Sequence, residues 1–546
     1  MATTMEPPKA PTGAAPKLFV RQASGLIREF SFKDAFVFNT LGYSLGLVIA
    51  VTPFFAGSVF PGVNPLLALT VGSLLVLANG LMYGLLAGAM PRSGGEYVYN
   101  GRVLHPAIGF MTNWGYSWSQ ILGLAIYTQW TINYAIATSL STLGYSLDNQ
   151  ALLDAGAWVS KTWNTFLLST ALLAIVVVVQ LAGMHVLKRV LNWLFILAMI
   201  GSVLTLIVFL MNDHSSFIDA FDSFMKRSTD TDGAYQSLLT QAKDSGWTPT
   251  VKPWWGFITA LPLAYWMFSG FTYSTYIGGE VKEPQKNQTR AVLASLVVGF
   301  IFYFTMIAAY YSMVGTTFND SAAYLQFNGE SPLPVAGVLN FFAGVVTENS
   351  VVNVLIGLSF FLWHVTALFC MFTIIVRNIF AWSFDQVMPA KLTALTKGTA
   401  APWAAVVTLA IVVEILLALF TFTTFFSFVF NIIVLFSIAF WITSFTAILM
   451  PYRRRDLFEA APPSTRRRVL GVPLLVIAGI VNLILFTLIL YVSFKFPAFS
   501  GPTGGRSIAF IVGVYLTPLV IYFCVDAYKK RRGVDLSLLY GQIPPE

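Results

Sequence analysis

Residues 40–46 read Thr-Leu-Gly-Tyr-Ser-Leu-Gly, and residues 268–274 read Phe-Ser-Gly-Phe-Thr-Tyr-Ser. Both stretches place glycine and hydroxyl residues inside long apolar runs, 36–57 and 256–278, where a helix would otherwise continue. Proteins that carry solutes across membranes often bind them where two helices are interrupted at mid-membrane, at corresponding places of two inverted repeats. The pair of stretches therefore predicts two broken membrane helices, each of which opens a set of five.

The composition of the chain excludes a water-soluble protein. Of its 546 residues, 56% are hydrophobic and 10% are charged, and the mean hydropathy is +0.72. A soluble domain usually carries about 25% charged residues. Cys370 and Cys524 lie in apolar runs and no histidine is closely spaced with another ligand, so we predict neither a disulfide framework nor a metal site. We expect no nucleic-acid partner for the net charge of +8, since in a membrane chain such charge reflects the side of the bilayer that the loops face.

Twelve apolar runs are long enough to span a bilayer, which takes roughly 20 helical residues. They lie near 36–57, 66–89, 108–138, 163–183, 190–211, 256–278, 291–314, 351–376, 402–421, 424–450, 470–494 and 508–527. We predict an all-α membrane protein of twelve transmembrane helices, a five-plus-five inverted repeat with two additional helices. The chain then divides into a disordered cytoplasmic tail (1–30), repeat 1 (31–212), an extracellular loop (213–253), repeat 2 (254–450), a basic cytoplasmic loop (451–469), two further helices (470–528) and a cytoplasmic tail (529–546).

The positive charges orient these spans. When the spans are counted from a cytoplasmic N-terminus, most of the 32 lysines and arginines fall on the cytoplasmic side, as the positive-inside rule requires. The basic runs 453–455, 466–468 and 529–532 contribute much of this bias. We interpret them as anchors near lipid headgroups, with a regulatory lipid site as the alternative. The sequence thus predicts a multi-pass protein of the cell membrane with both termini in the cytoplasm.

The predicted outer loop carries Phe217, Phe221 and Phe224 at helical spacing among acidic residues. This spacing predicts a short amphipathic helix across the outer mouth. Such a helix either covers apolar surface, which we favour, or gates the entrance.

Residues 90–99, Met-Pro-Arg-Ser-Gly-Gly-Glu-Tyr-Val-Tyr, closely resemble the loop after the second helix in the amino acid–polyamine–organocation superfamily. Further similar motifs follow in the order of that family: Gly109-Phe110, Asn113-Trp114, Gly270-Phe271, the Glu-Val-Lys-Glu-Pro of 280–284, Arg377 and the Asp-Gln-Val-Met-Pro of 385–389. The resemblance implies a leucine-transporter-like fold and a permease that moves amino acids by alternating access. A polyamine or organic-amine transporter and an amino acid exchanger of the same fold are the alternatives.

The chain departs from the family pattern at some of these motifs. Ser44 stands where the family's first helix has a glycine, and Thr272 stands where some arginine exchangers carry a glutamate. The fifth span lacks the lysine of several proton-coupled members, which would lie near Ala198. The resemblance therefore supports the fold more strongly than it supports any mode of energy coupling.

The broken segments are expected to bind a ligand through their backbone. An interrupted helix leaves carbonyl groups unpaired at one end and N–H groups at the other, and each end carries roughly half a charge. A zwitterionic amino acid can use both ends. Neither 36–57 nor 256–278 contains Asp, Glu, Lys or Arg, which disfavours a polyamine because unpaired charge in a low-dielectric pocket is costly. Small neutral or aromatic amino acids are favoured as substrates.

The candidate substrate-binding residues come from both broken segments and from the third span. They are Gly42, Tyr43, Ser44, Gly46, Ser119, Gln120, Trp266, Ser269, Gly270, Phe271 and Thr272. Ser119 and Gln120 enter through the resemblance, since they align with pocket-lining positions of family members. The alternative for Gly42 and Gly46 is helix packing through a GxxxG spacing, and Trp266 and Phe271 are either aromatic gates or packing residues.

The candidates for ion coupling are His364, Thr366, Thr373 and Glu414. A histidine titrates near neutral pH, and the threonine hydroxyls suit either the substrate pocket or a sodium site. The alternative roles are structural, with a buried neutral His364, a packed Glu414 and hydroxyls bonded to their own helix. Proton coupling, sodium coupling and exchange all remain open.

The sequence predicts no catalytic residue, no cofactor and no metal. A membrane-embedded enzyme would need clustered acid–base or metal-binding residues, and the sequence shows no such cluster. A channel or a substrate sensor of the same fold stays an alternative to a carrier. The expected partners are a small-molecule amino acid and the lipid bilayer, and a homodimer is left open.

Overall fold

The computed structural model describes residues 28–249, 251–347, 349–497, 499, 501–533, 536 and 540. The predicted tails 1–30 and 529–546 lie largely outside these residues. Regular structure in the described part is almost entirely helical, apart from one two-stranded hairpin.

The helices up to residue 249 are α1 (Phe32–Tyr43), α2 (Leu45–Val59), α3 (Pro65–Ala89), α4 (Glu96–Val103), α5 (Pro106–Trp130), α6 (Thr138–Ser146), α7 (Gln150–Val159), α8 (Thr162–Leu181), α9 (Met184–Met211), α10 (His214–Thr229) and α11 (Ala234–Asp244). A π-helical segment, Thr131–Ala137, joins α5 to α6.

A 3₁₀ segment, Trp254–Ala260, opens the second part of the chain. It is followed by α12 (Leu261–Trp266), α13 (Tyr273–Tyr276), α14 (Pro284–Val314), α15 (Thr316–Phe327), α16 (Leu339–Val346), α17 (Ser350–Phe384), α18 (Trp403–Phe422), α19 (Phe426–Val429), α20 (Ile432–Arg453), α21 (Arg455–Ala460), α22 (Pro463–Arg466), β1 (Arg468–Val469), β2 (Val472–Pro473), α23 (Leu474–Lys495) and α24 (Gly505–Lys530). Further 3₁₀ turns lie at Gly278–Glu280 and Ala390–Thr393.

Ten helical segments in the described part of the chain are long and apolar enough to cross a membrane. They coincide with ten of the twelve predicted runs, and the prediction of an all-α membrane protein is confirmed at this level. The two other runs differ for physical reasons. The run 108–138 forms α5 and the π-helical segment that follows it, and α5 carries buried polar residues such as Asn113 and Gln120. The run 256–278 is divided into short pieces.

The central helices are the most buried. In the most apolar stretch of each span, 94% of the residues are buried for α1–α2 and 78% for α17, against 28% for α9 and for α24. α17 packs against α1, α2, α5 and α9. The exposed apolar side chains of the outer helices, such as Trp193, suit contact with lipid, in which each helix satisfies its own backbone.

The predicted amphipathic helix is confirmed as α10. Phe217, Phe221 and Phe224 are buried, and their rings pack against aromatic rings of α15 and α16. Phe217 lies 5.3 Å from Phe318 and 6.0 Å from Phe342, measured between ring centroids. These contacts hold α10 onto the helices that follow α14.

Phe217→Ala is expected to lower the free energy of unfolding by about 3–5 kcal/mol, because the cavity left by a fully buried ring cannot collapse. Thermal unfolding of the purified protein, followed by tryptophan fluorescence, measures the loss. Asp219→Ala on the exposed face of the same helix is the control, with an expected change within about 0.5 kcal/mol. Equal unfolding temperatures for the two variants would contradict the anchoring role.

Candidate functional site

The first break lies between α1 and α2 and is one residue wide. Ser44 adopts a left-handed conformation, with φ 52° and ψ 78°, which is uncommon for a residue with a side chain. Its hydroxyl donates to the carbonyl oxygen of Trp363 on α17 at 2.8 Å, which supports this conformation. The Ser44 N–H donates to the Leu41 carbonyl, and the Val48 N–H donates to the Ser44 carbonyl, both at 3.1 Å. A serine therefore turns the chain here without a glycine.

The second break is wider. α12 ends at Trp266, α13 begins at Tyr273, and residues 267–272 form successive tight turns between them. Gly270 has φ +125°, a conformation that residues with a Cβ rarely adopt. Both predicted interruptions are thus confirmed, and they differ in width.

The two breaks touch each other through their backbones. A Cβ placed on Gly270 would overlap the carbonyl group of Gly42. A Cβ placed on Gly42 would overlap the ring of Tyr273 and approach the Gly270 carbonyl oxygen to 2.9 Å. Glycine is needed at both positions because only a residue without a side chain permits this approach. Gly46 serves a different contact, since a Cβ there would overlap the indole of Trp363.

The end of α1 and the start of α2 lie where the breaks touch. The first turn of α2 presents N–H groups and the last turn of α1 presents carbonyl groups that their own helices cannot pair. These ends carry partial charges of opposite sign, and no ionised side chain lies in 36–57 or 256–278. The arrangement suits a small ligand that carries both charges.

Asn39 ties the two broken helices together. Its side-chain oxygen accepts a hydrogen bond from the Ser274 N–H at 2.7 Å, across 235 residues of sequence. Sequence reasoning missed this residue. The signal available in the sequence was an asparagine inside an apolar run, shortly before the first break.

The third span reaches the second break through Gln120 on α5. The Tyr273 hydroxyl donates to the Gln120 side-chain oxygen at 2.5 Å. The Ser119 hydroxyl donates to the carbonyl of Tyr116 on its own helix, and the Gln120 amide donates to Ser119. The structure therefore brings Gln120 to the broken segment, whereas Ser119 is engaged within α5.

The aromatic candidates are all buried. The Trp266 indole N–H donates to the Tyr127 hydroxyl at 3.0 Å, and the ring of Phe271 lies edge-on to Tyr265 at 6.5 Å. The Tyr43 hydroxyl donates to the Ser295 carbonyl at 2.7 Å. Of the remaining candidates, Ser269 is partly buried, and the Thr272 hydroxyl is buried without a hydrogen-bond partner.

Comparison with known families bears on this geometry. Residues 30–517 match the family described as amino acid permease, which covers most of the chain. The chain belongs to the amino acid permease family. Membership confirms the resemblance to the amino acid–polyamine–organocation superfamily that the sequence motifs indicated.

Two curated relatives were found for parts of the permease. The branched-chain amino acid permease BcaP of Bacillus subtilis (strain 168) is 24% identical over 345 residues, which are 62% of this chain and 63% of that protein. An uncharacterized protein of Sulfolobus islandicus rod-shaped virus 1 is 27% identical over 131 residues, which are 24% of this chain and 30% of that protein. Each alignment spans less than two thirds of the relative's own length.

The coupling candidates of the permease are engaged in local hydrogen bonds. His364 is bonded through Nδ1 to the Phe360 carbonyl of its own helix at 2.6 Å, and its Nε2 has no hydrogen-bond partner. The hydroxyls of Thr366 and Thr373 donate to carbonyls one turn earlier in α17. Glu414 accepts a hydrogen bond from Thr170 on α8 at 2.7 Å.

A buried ion pair closes the far end of the second broken span of the permease. Arg377 on α17 donates through Nε and Nη2 to the two carboxylate oxygens of Glu280, at 2.5 and 3.1 Å. The Glu280 carbonyl also accepts the N–H groups of Glu29 and Phe30, just before α1. The family motifs around Glu280 and Arg377 therefore tie together the two broken spans and α17.

Proposed function

We propose that the permease is a secondary active transporter that moves amino acids across the cell membrane by alternating access. The contact of two interrupted helices, made through Gly42 and Gly270, carries this proposal. Helix ends at that contact can neutralise an α-carboxylate and an α-ammonium without an ionised side chain. Of the substrate-binding residues proposed from the sequence, Tyr43 and Ser44 contribute backbone groups, because their hydroxyls already donate to the carbonyl oxygens of Ser295 and Trp363.

We propose twelve spans, with α5–α6 and the divided run 256–278 added to the ten apolar segments. An inverted repeat of spans 1–5 and 6–10 is supported by the packing, because α3 packs on α14, α5 on α17 and α8 on α18. Each pair joins corresponding members of the two halves, as contacts close to a two-fold axis would. The excess of basic residues in the assigned inner loops supports cytoplasmic termini.

Neutral amino acids with apolar side chains are the substrates that the surroundings favour. Trp266, Phe271 and Tyr273 bury aromatic rings around the second break. The Bacillus relative is named as a branched-chain amino acid permease, which agrees with this class. An organic amine lacks the carboxylate that would use the N–H groups of α2, and its cation would lack a carboxylate within either broken segment.

Counterflow in proteoliposomes tests the proposal. Vesicles loaded with unlabelled leucine should take up external radiolabelled leucine, with saturable kinetics. External valine and isoleucine should compete, and putrescine should not. Flux that rises linearly with concentration would point to a channel instead, and competition by putrescine alone would point to an amine carrier.

Thr272→Val should weaken substrate binding about tenfold, because the unpaired hydroxyl at the second break is placed to bond the ligand and such a bond is worth about 1–1.5 kcal/mol. Thr275→Val is the matched control, since the Thr275 hydroxyl already donates to the Thr272 carbonyl at 2.7 Å. For both variants, substrate binding is measured as the concentration of leucine that gives half-maximal counterflow. An equal change in the two variants would remove Thr272 from the site.

A further inference from the structure

Glu96 is a carboxyl group buried beside the second broken helix. It is the first residue of α4, it lies in the Gly-Gly-Glu-Tyr portion of the motif 90–99, and it is 0% exposed. The Tyr276 hydroxyl donates to Oε2 at 2.6 Å, and the Asn113 amide donates to Oε1 at 3.0 Å. The Tyr83 hydroxyl reaches Oε2 at 3.4 Å. Three helices, α3, α5 and α13, therefore converge on one carboxyl group.

Within the described part of the chain, five tyrosines interact electrostatically with this carboxyl. They are Tyr83 on α3, Tyr99 on α4, Tyr116 on α5, Tyr276 on α13 and Tyr515 on α24. α20 contributes the neutral hydroxyl of Thr443, which accepts a hydrogen bond from the Tyr83 hydroxyl at 3.5 Å. A tyrosine hydroxyl can donate to an ionised carboxylate and accept from a protonated one, so the same neighbours can serve both forms.

Burial and hydrogen bonding act in opposite directions on the pKa of the Glu96 carboxyl. Burial raises the pKa of the Glu96 carboxyl to about 7, while the hydrogen bonds from Tyr276, Asn113 and Tyr83 act in the opposite direction. A group with such a pKa can change its charge within the physiological range. Losing one of the three donors would favour the protonated form.

Contacts connect Glu96 to the second break. Tyr276 ends α13, the short helix that begins directly after the turns around Gly270. The rings of Tyr276 and Tyr116 stack with centroids 4.8 Å apart and planes 5° from parallel. One turn further along α5, Gln120 accepts the hydrogen bond of Tyr273. A movement of α13 thus changes the surroundings of the carboxyl and of the substrate contact together.

We propose that Glu96 is the binding site of a proton that the permease co-transports with its substrate. This inference rests on the proposed carrier function. Binding forms an O–H bond on Oε2, whose hydrogen is then donated to the Tyr276 oxygen, and release returns the proton to water once α13 and α4 separate. No electron transfer is involved. Because the carboxyl is fully enclosed when the helices are together, protons do not leak through it.

Two uptake assays on the same proteoliposomes test this site. One is leucine counterflow without any ion gradient, and the other is leucine accumulation driven by an acidic exterior, with a protonophore as the blank. Wild type should show both activities. Glu96→Gln should keep measurable counterflow and lose accumulation, because a neutral amide cannot exchange a proton. His364→Gln and Glu414→Gln test the two other titratable coupling candidates: accumulation should persist in both if Glu96 is the proton site, since His364 Nδ1 bonds its own helix and Glu414 bonds Thr170 on α8.

The outcomes separate the two proposals. Wild type without counterflow of any amino acid overturns the carrier function and the proton site with it. Wild type with counterflow but without acid-driven accumulation overturns the proton site alone. Accumulation that survives in Glu96→Gln, or that is lost in His364→Gln or Glu414→Gln instead, also overturns it.

A second variant keeps the test valid if Glu96→Gln does not fold. Tyr276→Phe removes a donor that stabilises the ionised carboxylate, so the pH at half-maximal accumulation should rise by about one unit. Tyr515→Phe is the matched control, because its hydroxyl faces Glu96 but donates to the Leu435 carbonyl. In the purified protein, the pH at which the infrared C=O band of the protonated carboxylic acid is half-maximal should rise by the same amount. An unshifted midpoint in Tyr276→Phe overturns the inference.

Discussion

Gly270→Ala should abolish transport, with counterflow reduced at least about 100-fold. The Cβ would overlap the Gly42 carbonyl group, and φ at this position is +125°, so the variant must either strain the backbone or separate the two breaks. Backbone strain of this kind costs about 1–3 kcal/mol, and overpacking costs about 1–3 kcal/mol more. Since about 1.4 kcal/mol corresponds to a factor of ten in rate, a 100-fold loss requires about 2.8 kcal/mol, which lies within the combined cost of about 2–6 kcal/mol.

Gly513→Ala is the matched control for this prediction. Gly513 lies in α24, where an added Cβ meets no atom within 4 Å. Alanine there should leave counterflow unchanged and raise helix stability by at most about 1 kcal/mol. If Gly270→Ala transported at the wild-type rate, the contact between the breaks would not be part of the transport site.

Replacing Arg377 by methionine should destabilise the protein by about 3–5 kcal/mol, because Glu280 would be left as an uncompensated buried charge. The side chains of the two residues are only 5% and 2% exposed, so water cannot take the place of the arginine. Thermal unfolding in detergent measures the loss, and the double variant Arg377→Met with Glu280→Met tests its origin. Removing both charges should recover most of the stability, since apolar residues often replace a buried pair at little cost.

The single variant Glu280→Met completes a double-mutant cycle, and the coupling energy from that cycle is the decisive quantity. A double variant as unstable as the sum of the two single variants would show that the residues act independently. The ion pair would then contribute nothing to the free energy of unfolding, and the connection between Glu280 and α17 would depend on backbone contacts alone.

The interruptions of the two spans could be predicted because they are local. Glycine and hydroxyl residues within 40–46 and 268–274 weaken a helix wherever the chain is placed. The amphipathic helix α10 could be predicted for the same reason, because the spacing of Phe217, Phe221 and Phe224 is a property of one segment. The conformation of the first break could not be predicted from the sequence, since the left-handed turn at Ser44 is stabilised by a carbonyl of α17.

The partners of the site residues lie far apart in sequence. Asn39 bonds Ser274 across 235 residues, and Glu96 bonds Tyr276 across 180. Which atoms meet depends on the rotation and register of packed helices, and no single segment encodes these. Glu96 in particular was recognised as part of a loop motif, but its burial follows from α3, α5 and α13 closing around it.

The amino-acid sequence by itself determined that this chain is a membrane protein with two weakened helices and no ionised group inside either, because composition and local helix propensity suffice for that. Only the tertiary structure decided that the weakened points touch through Gly42 and Gly270, and that a carboxyl group lies enclosed at the end of the second one. Close approach and desolvation are properties of helices packed together, and they arise only when distant segments share the same space.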